Sequence, residues 1–327
     1  MEMRKLGNSN LQVSPIMLGG NVFGWTADEP TSFRILDAFV ERGFNFLDTA
    51  DVYSAWVPGH SGGESETVIG NWLTRSSKRD KVILATKVGL EVRGRKGLSK
   101  NHILRSAEES LRRLQTDYID LYQSHSDDRE TNFSETLSAY AQLIREGKVR
   151  AIGASNYSAE RLTEALQVSK NGNLPSYCSL QPLYNLYDRE EYETNLEPVV
   201  SSWNLGVVPY YSLAAGFLTG KYRSQKDLEN RARGTTVQKY LNERGHRILA
   251  ALERVAQDYR STPAAVALAW LMARPTVTAP IVSATSMEQL ETILGAADMK
   301  LSQQSIVYLD TESAVQSVQA AKWAEQN

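Results

Sequence analysis

Short apolar runs alternate with amphipathic stretches along most of the chain. That alternation restricts the fold more than any other feature of the sequence. Eight runs read as strands, beginning near residues 16, 44, 82, 118, 149, 177, 206 and 278, and a helical stretch follows each. The boundaries carry chemistry of their own. Asp28 reads as an N-cap with Pro30 in the first helical turn, and Gly43 stops that helix. Ser99 caps a helix over 100–114, Gly147 closes one over 133–145, and Thr262 begins one over 263–272. A helix over 190–203 carries Pro198, a site for a kink.

Strands that alternate with helices imply right-handed βαβ units and a parallel sheet. Eight units within 327 residues suit a closed (β/α)8 TIM barrel, an α/β fold, better than an open doubly wound sheet. No G-x-G-x-x-G follows the first strand, which counts against a Rossmann domain. The expectation is one barrel domain over 1–327. Arg4–Leu6 and Leu11–Val13, around Gly7-Asn8, read as an N-terminal β-hairpin placed to plug the barrel bottom. Ile306, Leu309, Val315 and Ala321 mark a C-terminal helical extension.

Composition excludes several classes. Lys plus Arg number 36 and Asp plus Glu 38, so no charge excess points to nucleic acid or an anionic membrane surface. The one cysteine, Cys178, excludes an intrachain disulfide, and the four histidines show no metal-ligand spacing. Without a secretory signal or a long apolar run, the expectation is a soluble cytoplasmic protein. His60, His102 and His246 read as surface or helix positions, and Cys178 as a small buried residue.

Two long stretches break the rhythm. Residues 50–62 follow the second strand, and 214–240 follow the seventh; both lie on the C-terminal face, where barrel enzymes carry their sites. Polar residues end the strands on that face: Asp48, with Tyr53 in its loop, Lys87, His125, Ser155-Asn156, Gln181 and Tyr210. Singly, each also has an ordinary structural role. Together, four of them form a coherent proton device. A free tyrosine titrates near pH 10, too high for rapid acid–base work. A neighbouring Lys87 ammonium would favour the phenolate of Tyr53, and Asp48 would hold Lys87 charged. His125 would orient a carbonyl oxygen beside Tyr53.

The stretches GFNFLDTADVYS, ILATKVG, DYIDLYQSH, IREGKVRAIGASNYS, LQPLYNL, VVPYYSLAAGFLTGKY and PIVSATSMEQLE carry a resemblance to the aldo-keto reductase superfamily. It runs over about residues 15–295 in the family's order. GFLTGKY and the loop after it resemble the bacterial branch related to potassium-channel β subunits. The resemblance implies a (β/α)8 barrel that binds NADPH, or in some members NADH, and interconverts a carbonyl and an alcohol on small molecules. It implies a catalytic tetrad of Asp48, Tyr53, Lys87 and His125. It places Ser155, Asn156 and Gln181 at the nicotinamide carboxamide, Tyr210 on the nicotinamide ring, and Gly20 nearby. It places Leu213, Gly216, Leu218, Thr219, Gly220 and Lys221 along the pyrophosphate.

At the adenine end the sequence departs from the family pattern. Ser283, Thr285 and Gln289 stand there without an Arg or Lys, which leaves Arg231 and Arg233 of the long loop as cations for a 2′-phosphate. Trp25, Trp56 and Tyr187 predict an aromatic entrance suited to a bulky aldehyde or ketone. Two rival functions use the same residues: a Schiff-base lyase or aldolase built on Lys87, and a non-catalytic cofactor-sensing subunit. Nothing in the sequence fixes an oligomeric state.

Overall fold

The computed structural model describes residues 1–229, 231 and 233–315. Eight parallel strands form its centre: β3 (Met17–Gly19), β4 (Phe46–Asp48), β5 (Ile83–Val88), β6 (Ile119–Ser124), β7 (Val149–Ser155), β8 (Tyr177–Gln181), β9 (Gly206–Val207) and β10 (Ile281–Val282). They are hydrogen-bonded in the order β10-β3-β4-β5-β6-β7-β8-β9. The ring closes between 207–209 and 276–281. Val207 N donates to Thr276 O at 3.2 Å, Thr278 N to Val207 O at 2.8 Å, and Ile281 N to Pro209 O at 2.9 Å. The fold is the expected TIM barrel.

All eight strands start close to where the sequence places them, but the seventh and eighth are cut short. The apolar run predicts a strand over 206–210, and β9 ends at Val207. Pro209 has no N–H to continue the ladder. Pro280 does the same before β10, which begins at Ile281 rather than near 278. Helices Lys100–Leu114, Phe133–Arg145 and Pro263–Met272 match their expected bounds. Pro198 acts as expected on its helix, which opens into a π-turn over Tyr192–Leu196 before Glu197–Trp203 resumes α-helix. The stretch after β9 is not irregular. It folds into short helices at Ala214–Thr219, Gln225–Leu228, Gly234–Val237 and Gln238–Tyr240.

The core has two parts. Side chains between the ring and the helices form the larger, and those inside the ring form the smaller, which includes Met17, Phe46, Ala85, Leu121, Cys178 and Ile281. Leu6, Leu11 and Val13 join the inner cluster from the hairpin of β1 (Arg4–Lys5) and β2 (Gln12–Val13). A Cβ added at Gly7, which sits at φ +52°, would overlap the Cys178 carbonyl and the Gly206 amide. The hairpin turn is therefore seated on the opening residues of β8 and β9, at the bottom of the barrel. A helix over Gln303–Ser313 closes the described C-terminal part. The Trp270 indole donates to Asp310 Oδ1 at 2.9 Å and ties that helix to Pro263–Met272. Ala321 lies outside the described residues. Among the described residues, no helix is long and apolar enough to cross a membrane.

Candidate active site

The upper end of the barrel brings three expected residues into direct contact. Asp48 ends β4, Lys87 lies near the end of β5, and Tyr53 stands in the turn after β4. Lys87 is fully buried and Asp48 almost so. The Lys87 Nζ donates to Asp48 Oδ2 at 2.7 Å, to Thr49 O at 2.8 Å and to the Tyr53 hydroxyl at 2.7 Å. An ammonium has three N–H bonds, and all three are used. The Tyr53 hydroxyl donates in turn to Asp48 Oδ2 at 3.0 Å.

His125 follows β6. Its ring centroid lies 6.0 Å from that of Tyr53, edge to face. Neither ring nitrogen takes a protein partner among the described residues, and Nδ1 is buried. Burial, and then the Lys87 charge, push the imidazole well below its ordinary pKa, so the ring is neutral. A neutral imidazole carries one N–H, which is what donation to a carbonyl oxygen needs.

The electrostatics of Tyr53 run against expectation. Burial and the adjacent Asp48 carboxylate raise the phenol well above its ordinary value. The sequence predicts that Lys87 lowers it. Asp48 neutralises Lys87 at 2.7 Å, so the ammonium reaches the phenol as half of an ion pair. Desolvation then decides the direction. Burial likewise pulls the Lys87 pKa down, with Asp48 opposing. The phenol is thus held protonated, the state of an acid ready to donate.

The residues expected around a nicotinamide form a connected rim. The Tyr210 hydroxyl donates to Asn156 Oδ1 at 2.9 Å, and Asn156 Nδ2 donates to His125 O at 2.9 Å. The Ser155 hydroxyl donates to Gln181 O at 2.9 Å, and Gln181 Nε2 to Asp48 Oδ1 at 3.1 Å. Gly20 packs against the Asp48 carbonyl, where a Cβ would come within 3.0 Å. Sequence reasoning missed Gln123. It is fully buried, its Oε1 accepts from Gln181 at 3.4 Å, and its Nε2 has no partner. Its signal was present: it stands two residues before His125, so strand alternation puts both on the inner face.

The segment after Tyr210 makes a cradle. Ala214, Ala215 and Gly216 follow one another at φ +48°, +56° and +95°. Within this run the Ala214 N–H is taken by Tyr211 O at 2.6 Å and the Gly216 N–H by Leu213 O at 2.8 Å. The Lys221 Nζ lies 3.3 Å from where a Gly216 Cβ would sit. Leu213, Thr219 and Gly220 are partly accessible there. Leu218 has its side chain fully buried in the core and its N–H taken by Leu213 O. The small Gly216 and the Lys221 ammonium beside it leave room and charge that fit a pyrophosphate.

Of the residues expected at the adenine end, Thr285 and Gln289 bond to each other and Ser283 bonds to Asn21. The Ser283 hydroxyl donates to Asn21 Oδ1 at 2.6 Å, and Gln289 Oε1 accepts from Thr285 N at 2.9 Å. No hydrogen bond or ion pair joins Arg231 or Arg233 to them among the described residues. Trp25 and Trp56 stand edge to face at 5.6 Å, and Trp56 continues to Tyr53 at 6.1 Å. The three rings form one edge-to-face row. Tyr187 is separate from it. It packs on Tyr240 at 4.9 Å and lines a cavity of about 410 Å³ with Asn156 and Tyr210.

The chain is 35% identical to "Uncharacterized oxidoreductase YrpG" of Bacillus subtilis, over 95% of each chain. It is 31% identical to "Protein tas" of Escherichia coli, over 95% of this chain and 97% of that one. It is 30% identical to a "Probable voltage-gated potassium channel subunit beta" of Arabidopsis thaliana, over 97% of each. Residues 15–313 match the Aldo/keto reductase family. The chain is thus an oxidoreductase that belongs to the aldo/keto reductase family.

Proposed function

We propose that the protein reversibly reduces an aldehyde or ketone with NAD(P)H. The observation that carries this reading is the buried contact of Tyr53, Lys87 and Asp48 beside a neutral His125 at the barrel mouth. A reduced nicotinamide, when bound, would supply the hydride. His125 donates its single N–H to the carbonyl oxygen and fixes its position. Tyr53 turns its O–H from Asp48 to the same oxygen and delivers the proton, so carbonyl, hydride and proton together make the alcohol. Lys87 keeps its hydrogen bond to the phenolate that remains and stabilises the charge.

The accessible Leu213, Gly216, Thr219, Gly220 and Lys221 would hold the pyrophosphate, and Ser155, Asn156, Gln181 and Tyr210 the nicotinamide. Trp25 and Trp56 favour substrates with an apolar or aromatic body. The Schiff-base alternative gains no support, because all three Lys87 N–H bonds have acceptors and an imine needs a free amine.

Parallel titrations with NADPH and NADH, read by tryptophan fluorescence, test the cofactor. Micromolar binding of at least one is expected. The ratio reports whether a cation reaches the 2′-phosphate despite the neutral Ser283, Thr285 and Gln289. Absence of binding by both would remove the redox reading.

A further inference from the structure

A second cavity lies on the other side of the loop that carries Tyr53. It has a volume of about 610 Å³ and opens between helices Glu64–Ser76 and Lys100–Leu114. None of the tetrad lines it, nor does any residue of the cradle or the nicotinamide rim. Three guanidinium groups do: Arg93, Arg112 and Arg113.

Their present partners leave charge unanswered. Arg93 Nη2 reaches only the Ser61 hydroxyl at 3.1 Å and Gly62 O at 3.4 Å. Arg112 Nε donates to Glu108 O at 3.2 Å. No carboxylate pairs with either among the described residues. Arg113 spends Nε on Glu66 at 2.7 Å and Nη2 on Ser110 at 3.3 Å, which leaves Nη1 without a partner. The two carboxylates on the wall are already engaged. Glu64 accepts from Ser61 N and Gly62 N, and Glu109 is shared by Arg95 and Arg105. His60 adds a buried Nδ1 with no partner.

We infer that this cavity binds a small phosphate-bearing anion. Guanidinium forks match phosphate oxygens, and three of them around one space offer more donors than a lone carboxylate can use. Glu64 occupies the amides of Ser61 and Gly62 ahead of the helix, so the guanidinium groups are the donors that the site offers. The cavity backs onto the catalytic loop: a Cβ at Gly62 would lie 2.9 Å from Asp51 O, two residues before Tyr53. Arg113 continues through Glu66 to the Thr86 hydroxyl, which donates at 2.6 Å and adjoins Lys87. An occupant is therefore placed next to the elements that hold both Tyr53 and Lys87.

The test is calorimetric titration of the full chain with inorganic pyrophosphate. The Lys221 cradle is a competing phosphate site, so three proteins are compared: wild type, R93Q/R112Q and K221Q. Arg113 is left alone because its loss would strand buried Glu66. Expected is a saturable site in wild type that R93Q/R112Q weakens at least about tenfold and K221Q leaves in place. Arg93 and Arg112 hold only hydroxyl and carbonyl partners, and each single variant is titrated too, so a misfolded double variant leaves two readings. Unchanged affinity in the variants at 93 and 112, loss only in K221Q, or no binding to wild type would each overturn the inference.

Discussion

At the scale of single residues, the site is an ion pair taken out of water and completed by a phenol. Burying Lys87 is tolerable because its three N–H bonds meet three acceptors. Those residue types were legible in the sequence because each stands at or near the end of a strand whose apolar run announces it. The direction of the Tyr53 shift was not legible, since it depends on burial and on Asp48 touching both partners. Asp51 was equally hidden. It lies outside the ring, with Oδ1 buried and unpartnered, in the field of Glu66 from one helix and Arg113 from another. Burial first, and then Glu66, raise its pKa well above 3.8. The folded chain therefore keeps a proton that the unfolded chain releases, and stability falls as pH rises from the unfolded pKa toward the folded one. Asp51→Asn removes that cost. The variant should gain on wild type by up to ~1.4 kcal/mol per pH unit above about pH 4. Denaturant unfolding at acid and neutral pH measures it, and a gap independent of pH would contradict the assignment.

At the scale of elements, prolines explain most differences between expectation and structure. Hydrophobic periodicity registers where side chains are apolar but is blind to a missing N–H. It therefore overran Pro209 and began too early before Pro280. The short helices after β9 escaped for another reason: their left-handed turns at Ala214 and Ala215 use residues with no turn preference. The hairpin was legible from Gly7-Asn8 between apolar residues, and its role as a plug depends on close approach at Gly7. Gly7→Ala should destabilise the protein by about 2–4 kcal/mol, combining left-handed strain with a clash against β8 and β9. Equilibrium unfolding of that variant gives the answer. A change within ~0.5 kcal/mol, the range of a neutral surface substitution, would mean the turn is not seated there.

At the scale of the whole molecule, eight successive strand–helix units bring residues 48, 87, 125, 156, 181 and 210 to one rim. That convergence follows from topology alone, because parallel strands in a closed barrel all end on one face. The same topology puts the cradle of 214–221 and the aromatic pair Trp25–Trp56 on that face. Side-chain partnerships between loops, such as Tyr187 with Tyr240, carried no comparable signal. The claim that joins the scales is that the Tyr53 hydroxyl moves the proton while the rest of the barrel binds. The most direct measurement is carbonyl-dependent oxidation of reduced nicotinamide by Tyr53→Phe, with cofactor affinity determined on the same preparation. Turnover should fall by at least about 10²-fold, the lower end of what a positioned acid contributes, while affinity stays within about twofold of wild type. Turnover at the wild-type rate, with the cofactor still bound, would contradict the account.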